Sequence, residues 1–291
     1  ANVTALPNRR VTEPRGSVNE QENQQDTEGG SPPVAARPAP VLIIQPGRYR
    51  PPDPALIPVR ARLYGSHFQR GIVGATVAQG GTGKTLLLIY EATQMAKAGL
   101  KVWLWSGEED IDEMHRRLAA ICQLHKLDAG ELGGLFLNSG HDLPLKFAGM
   151  AGGSKVQFNE DALAAYEEAI ARDKIDVAVL DPLVSIHSIS ENDNVAADAL
   201  VKRLARISKA RGCHGELVHH VRKPAQGMAE MTIDDARGAS AIVNACRSAR
   251  VINRMSKAEH EQAGLKPEQD RRAFIRADLG KANYSPPEEA S

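Results

Sequence analysis

A glycine-rich segment between a strand-like stretch and a helix-like stretch constrains the fold more than any other feature of this sequence. The segment runs from Ala78 to Thr85 and reads AQGGTGKT; the apolar run Ile72–Ala78 leads into it and a helical pattern, Lys84–Lys97, follows. Glycines in such a turn let successive backbone N–H groups surround an anion, and the N-terminus of the next helix adds its dipole. The arrangement predicts a phosphate-binding turn.

The segment matches the Walker A pattern at every fixed position except the first, where Ala78 replaces glycine. In this pattern Lys84 reaches the β- and γ-phosphates and the Thr85 hydroxyl ligates Mg²⁺. An incidental lysine in a glycine-rich turn is the alternative, but the placement between a strand and a helix favours an ATP and Mg²⁺ site. The residues expected to bind the nucleotide are Gly80, Gly81, Thr82, Gly83, Lys84 and Thr85.

Strand-like and helix-like segments alternate from Gly71 onward, which predicts an α/β fold with a mainly parallel sheet and helices on both faces. The predicted strands are Ile72–Ala78, Val102–Trp105, Leu135–Leu137, Val177–Leu180 and Glu216–Val218, with a further edge pair at Ser248–Ile252 and Ala273–Ala277. The predicted helices are Lys84–Lys97, Asp112–His125, Glu160–Arg172 and Ala197–Arg211. Such a sheet binds its ligand outside the carboxyl ends of the strands.

Composition divides the chain into four parts. Residues 1–40 are poor in large apolar side chains and are expected to be a disordered tail. Residues 41–70 contain several prolines and predict an extended connector. Residues 71–287 form the predicted nucleotide-binding domain, and 288–291 a short C-terminal tail.

The overall charge excludes a generally basic surface, because Lys plus Arg and Asp plus Glu both number 36. Any contact with nucleic acid must therefore come from a local patch or from a channel shared by several subunits. No signal-peptide core or membrane-spanning run is visible, so a cytoplasmic location is expected. Three cysteines without metal-ligand spacing predict reduced, buried thiols: Cys122, Cys213 and Cys246.

Asp181 follows the apolar strand Val177–Leu180, which is a Walker B arrangement. A carboxylate at the end of a buried strand can hold Mg²⁺ through its water shell. An N-cap role for this aspartate is the alternative. The nearby phosphate-binding turn favours the metal role.

Two further groups of polar residues follow predicted strands. The acids between Ser106 and Asp110 follow Val102–Trp105, and in-line attack on a γ-phosphate needs a carboxylate that orients water. They could also be an acidic first helical turn. His219-His220 follow Glu216–Val218, where a neutral imidazole could hydrogen-bond to the γ-phosphate or be a structural histidine.

At these residues the chain resembles the RecA-type motors, most closely the RepA family of hexameric replicative helicases of plasmids and mobile elements. The resemblance covers about Leu63 to Pro287. Its most specific blocks are Glu108 with Arg117-Leu118, His219-His220 with Lys223, Arg237-Gly238 with Arg247, and Lys281-Ala282-Asn283-Tyr284. It implies a RecA-like P-loop NTPase core.

The resemblance also implies roles for individual residues. Glu108 would polarise the attacking water, with Glu109 as the nearer alternative, and Arg117 would lie near the nucleotide base. His220 corresponds to the γ-phosphate sensor.

Two arginines are implied by the resemblance to act in catalysis. Arg247 matches the arginine finger that enters the site of the neighbouring subunit, and Arg237, ten residues earlier, is a further candidate. The alternatives are a salt bridge at a strand end for Arg247 and a loop-stabilising charge for Arg237.

A finger supplied in trans implies a ring or a filament, and closure into a homo-hexamer is what the resemblance suggests. The partners expected from the resemblance are further copies of the chain and single-stranded DNA in the channel, with no membrane. The loops expected to face that channel, Ser185–Val195 and Pro224–Ala236, carry several acids and no convincing basic patch. A nucleotide-gated regulatory or assembly ATPase therefore remains the second hypothesis. A small-molecule kinase has little support beyond the turn itself.

Overall fold

The computed structural model describes residues 45–151, 155–190, 193–221, 231–233, 240–266 and 270–282. The chain divides into two compact units, residues 1–56 and 57–291. In the first unit the described residues are exposed and include a short 3₁₀ helix at Pro54–Leu56. The predicted disordered tail lies outside the described residues.

The described part of the second unit contains eleven strands and six helices. The strands are β1 (Arg62–Tyr64), β2 (Phe68–Gln69), β3 (Val73–Gln79), β4 (Val102–Ser106), β5 (Leu135–Ser139), β6 (Ala148–Ala151), β7 (Lys155–Phe158), β8 (Val177–Asp181), β9 (His214–Val221), β10 (Ser248–Arg254) and β11 (Ile275–Ala282). The helices are α1 (Lys84–Lys97), α2 (Ile111–His125), α3 (Glu160–Asp173), α4 (Asn194–Arg211), α5 (Ser240–Ala245) and α6 (Lys257–Gln262).

Seven strands form one sheet in the order β11-β10-β3-β9-β8-β4-β5. All neighbours are parallel except β10 and β11, which form the antiparallel edge pair expected from the sequence. Strand β9 lies between β3 and β8, and β4 follows β8. The carboxyl ends of these four strands therefore meet at one edge of the sheet.

Helices cover both faces of this sheet, and the side chains of single strands alternate between two cores. Val102 and Leu104 pack with α1 and α2, whereas Trp103 and Trp105 pack with α3, α4 and α5. This alternation is the two-residue period of an extended strand. The predicted α/β fold with a mainly parallel sheet is confirmed.

Several elements differ from the predicted ones because pairing partners extend them. Strand β9 runs to Val221, opposite Gln79, so His220 lies inside the strand rather than after it. Strand β11 begins at Ile275, after a 3₁₀ turn, and continues to Ala282. Two small antiparallel pairs were not predicted: β1 with β2, inside the predicted connector, and β6 with β7.

A buried carboxylate connects the β1–β2 pair to the sheet. Glu216 is fully buried and accepts hydrogen bonds from His67 Nε2 and His214 Nε2, both at 2.9 Å, and from the Thr76 hydroxyl. Burial alone would raise the pKa of Glu216, but the charge of His67 and the hydrogen bonds from His214 and His67 outweigh it. These interactions hold the pKa of Glu216 well below its usual range, so the Glu216 carboxylate is an anion in the folded protein.

An ion pair beside this carboxylate extends the network to the first helix. The Arg250 guanidinium makes two bonds of 2.6 Å to Glu91 in α1 and donates from Nε to the Thr76 hydroxyl at 2.8 Å. The cation also lies 5.1 Å from the ring centroid of Phe68. The network thus connects β2, β3, β9, β10 and α1.

We expect Glu216→Gln to lower the free energy of unfolding at neutral pH by about 1–3 kcal/mol, because it disrupts the buried hydrogen bonds that the carboxylate accepts. Burial lowers the pKa of His67, so the loss at neutral pH is one of hydrogen bonds rather than of an ion pair. The folded-state pKa of Glu216 is depressed, so its contribution is present above its ordinary pKa of 4.5 and is lost as the pH falls below it. The difference between wild type and variant should therefore shrink in acid. Urea unfolding from pH 7 down to pH 2.5 measures this difference, with the exposed Glu261→Gln as control. A difference that stays constant below pH 4.5 would contradict this assignment.

Candidate active site

The glycine-rich turn joins the end of β3 to the start of α1, at the shared carboxyl edge. Gly81 and Gly83 adopt φ angles of 73° and 93°, a left-handed conformation that side-chain-bearing residues rarely take. The Thr82 hydroxyl closes the turn by donating to the Gln79 carbonyl at 2.8 Å. Ala78 is buried within β3, so its methyl group lies in the sheet and not in the turn.

Lys84 begins α1 and points into the site. It is only 5% exposed, and its Nζ lies 2.9 Å from His220 Nδ1. An ammonium can only donate, so Nδ1 accepts and the imidazole is neutral with its proton on Nε2. Burial lowers the pKa of Lys84, opposed by the negative charge of Asp181, Glu108 and Glu109.

Thr85 and Asp181, the two predicted metal ligands, are in direct contact. The Thr85 hydroxyl donates to Asp181 Oδ2 at 2.7 Å, while Asp181 Oδ1 is buried and has no hydrogen-bond partner among the described residues. Burial raises the pKa of Asp181, and the Thr85 hydrogen bond and the Lys84 charge oppose this. An unpartnered carboxylate oxygen beside a hydroxyl fits a Mg²⁺ ion, which prefers oxygen ligands.

The alternative N-cap role of Asp181 does not fit the structure. The 3₁₀ helix that follows, Leu183–Ile186, has Pro182 at its N-cap position and no side-chain capping bond. The carboxylate instead faces Thr85.

The acids after β4 separate into two environments. The Glu108 carboxylate is 54% exposed and lies 3.4 Å from His220 Nε2. Glu109 pairs with Arg117 at 2.7 Å, and Arg117 also bonds to Glu113 at 2.8 Å within α2. Glu108 therefore faces Lys84 through His220, whereas Glu109 is held against α2.

Gly107 positions Glu108 by allowing a close approach of two strand ends. Its N–H donates to the Asp181 carbonyl at 2.7 Å, and an added Cβ would lie 2.4 Å from Ser185 Cβ. Only glycine fits this contact. This close approach places the carboxylates of Glu108 and Asp181 at the same edge of the sheet, beside the phosphate-binding turn.

The site lies within a region of the chain that matches a known protein family. A family model described as an AAA domain matches residues 52–226, more than half of the 291-residue chain. The chain belongs to the AAA domain family. This makes it a P-loop ATPase domain, and the matched range includes Lys84, Glu108, Asp181 and His220. In the described part of this AAA domain protein, no helix combines the length and apolar character that crossing a membrane requires.

Of the two arginines predicted to act in catalysis, the structure describes Arg247, which does not lie at this site of its own subunit. Arg247 is exposed just before β10, and its N–H donates to the Val73 carbonyl at the amino end of β3. The turn follows the other end of that strand, about 20 Å away at about 3.3 Å per residue. Arg237 lies outside the described residues.

Arg254 is a site residue that the sequence did not reveal. It ends β10, and its guanidinium donates to the Gly81 carbonyl in the phosphate-binding turn. Its position follows from the pairing of Ile252 with Ala78, which brings the end of β10 beside the turn. No local pattern in the sequence signals that pairing.

The cysteine prediction holds for two of the three residues. Cys213 and Cys246 are buried free thiols, whereas Cys122 is half-buried. Burial raises the pKa of the Cys213 and Cys246 thiols, which keeps them protonated.

The different surroundings of Glu108 and Glu109 give a test of which one orients water in the AAA domain. We expect Glu108→Gln to lower ATP turnover by roughly a hundred-fold or more, the usual contribution of a general base. Glu109→Gln should change turnover by less than about three-fold, because it loses a half-exposed ion pair with a value of about 1 kcal/mol or less. Phosphate release at saturating ATP measures both, and the reverse order of effects would assign the role to Glu109.

Proposed function

We propose that this chain is an ATP-hydrolysing ring motor that translocates on single-stranded DNA and unwinds duplex DNA, in the replication of a plasmid or mobile element. The observation that supports the proposal most strongly is that Arg247 lies far from the charged residues at the phosphate-binding turn of its own subunit. Lys84, Glu108 and His220 meet at the phosphate-binding turn, whereas Arg247 lies exposed at the opposite edge of the sheet. A second copy can complete the site only if it brings its own Arg247 to it.

The hydrolytic step follows from the positions of these groups. The triphosphate binds along the turn, with Lys84 at the β- and γ-phosphates. Glu108 accepts a proton from water as the water oxygen bonds to the γ-phosphorus, and the bond to the bridging oxygen breaks so that ADP leaves with the electron pair. Thr85 and Asp181 would hold the Mg²⁺, which offsets the charge of the phosphates.

His220 is suited to report whether the γ-phosphate is present. His220 Nδ1 accepts a hydrogen bond from Lys84 Nζ at 2.9 Å. A bound γ-phosphate competes for the same ammonium, which releases the imidazole. Because His220 lies in β9, the change passes along the strand to Val221 and to the predicted channel loop that follows.

A ring that holds single-stranded DNA in its channel should show two measurable properties, DNA-stimulated ATP turnover and salt-dependent DNA binding. We expect single-stranded DNA to stimulate ATP turnover and to bind with an affinity that falls steeply with salt, because phosphate contacts release counterions. Sedimentation with and without ATP and an oligonucleotide measures ring formation, and phosphate release measures stimulation. Duplex DNA without a single-stranded end is the control. If no DNA binding is measured at low salt, the proposed movement along DNA is refuted, whereas the proposed ATP hydrolysis is not.

A nucleotide-gated regulatory or assembly ATPase is the second candidate, and one observation favours it. The net charge is zero, and the loop from Ser185 to Val195 carries Glu191 and Asp193 rather than cations. Such a protein would hydrolyse ATP slowly, and DNA would not change its rate of turnover. The same measurements distinguish it, since it predicts turnover that DNA does not change.

A further inference from the structure

We propose that Lys281 is a positioning residue that holds the turn carrying Arg247 in place for insertion into the nucleotide site of a second copy. This inference rests on the proposed ring function and adds to it a residue that acts through Arg247. Lys281 belongs to β11, at the edge of the sheet, and contacts no part of its own phosphate-binding turn in the described structure.

A β-bulge sets the direction of the Lys281 side chain. Ala249 pairs with Lys281, but the next residue, Arg250, pairs with Leu279, so Gly280 is an extra residue in β11. An added Cβ at Gly280 would lie 2.6 Å from Ile233 Cβ, a contact only glycine permits. Bulges of this kind re-aim neighbouring side chains and end regular pairing.

The re-aimed ammonium caps the short helix that precedes Arg247. Lys281 Nζ donates to the carbonyls of Val243 and Asn244, both at 3.0 Å, in the last turn of α5. These carbonyls lack helical partners, and a cation also suits the negative end of a helix. Arg247 follows two residues after α5 ends, and its N–H is held by the Val73 carbonyl at 2.9 Å. The turn is therefore fixed from two sides.

The two cations Arg247 and Lys281 lie close to each other. The charge of Arg247 is close enough to add to burial in lowering the pKa of Lys281, while Cys246 opposes both. Among the described residues no carboxylate pairs with Arg247 or Lys281. Two adjacent cations are suited to bind a polyanion, and the triphosphate of a second copy is the polyanion that the proposed ring supplies.

The first experiment separates positioning from nucleotide binding. We expect Lys281→Met to lower kcat by roughly ten- to hundred-fold, as when a reacting group is misplaced by about an ångström, with KM for ATP unchanged. Lys281→Arg, which keeps donors and charge, should restore most of the activity. Lys257→Met is the matched control, because Lys257 is 86% exposed in α6 and lies outside the turn. If Lys281→Met does not fold, Lys281→Gln replaces it.

The second experiment shows whether Lys281 acts through Arg247. Adding Lys281→Met to Arg247→Ala should cause no further loss of turnover, because the positioned group is already absent. Multiplied losses would overturn the proposal. Normal turnover by the Arg247→Ala variant would refute the proposed arginine finger. Low turnover by Arg247→Ala together with normal turnover by Lys281→Met would refute only the positioning role of Lys281.

Discussion

Alanine in place of Lys84 should lower ATP turnover by about a hundred- to a thousand-fold, the effect expected when one main electrostatic group of a phosphoryl-transfer site is removed. The ammonium is the buried cation at the start of α1, with its Nζ 2.9 Å from His220 Nδ1. Alanine leaves the phosphates without this charge and leaves His220 without its partner. Nucleotide affinity should fall as well, which a fluorescent ATP analogue measures alongside phosphate release.

A lysine at the other end of the same helix provides the control for this variant. Lys97 closes α1 and is 46% exposed, 3.8 Å from Glu131. Lys97→Ala should retain turnover, and both variants should unfold at similar temperatures. Wild-type hydrolysis by Lys84→Ala would contradict the assignment of the turn as the catalytic site.

Alanine in place of Arg247 should lower turnover by about a thousand-fold, the lower end of the contribution of an arginine finger, while each subunit still binds ATP. The reason is geometric, because Arg247 lies at the amino end of β3 and the phosphate-binding turn at its carboxyl end. Arg211→Ala is a matched control: Arg211 is also partly exposed, and its 2.9 Å bond to Glu167 lies within the helices. Normal turnover by Arg247→Ala would exclude the finger role.

Mixing the two inactive variants tests whether the arginine acts between subunits. Lys84→Ala subunits keep Arg247, and Arg247→Ala subunits keep the intact turn. In randomly mixed rings about a quarter of the head-to-tail interfaces combine one intact turn with one intact arginine. Turnover should therefore recover to about that fraction of wild type. No recovery after demonstrated subunit exchange would place the arginine within its own subunit.

Local signals explain why much of the fold could be predicted. The boundaries of α1, Lys84–Lys97, were predicted correctly because the glycine-rich turn marks its start and the apolar spacing marks its length. The α/β class followed from the alternation of buried strands and amphipathic helices. The predicted metal ligands Thr85 and Asp181 meet because parallel strands place their carboxyl ends at one edge.

Features that depend on distant partners could not be predicted in the same way. The β1–β2 pair lies in a stretch whose composition indicates a connector, but Phe68 is buried there against distant residues. The contact of Arg254 with the turn depends on the register between β10 and β3. The different surroundings of Glu108 and Glu109 depend on Arg117, which lies in α2, after both acids in the chain, and pairs with Glu109.

The sequence by itself determined the phosphate-binding turn, the α/β class and the set of acids and histidines that follow the strands. These depend on the conformational freedom of glycine and on the periodicity of apolar side chains, which are properties of neighbouring residues. Only the tertiary structure decided which acid faces His220, where Arg254 lies, and how Lys281 reaches the turn of Arg247. Those contacts join residues far apart in the chain, and strand register and burial, rather than local pattern, fix their distances.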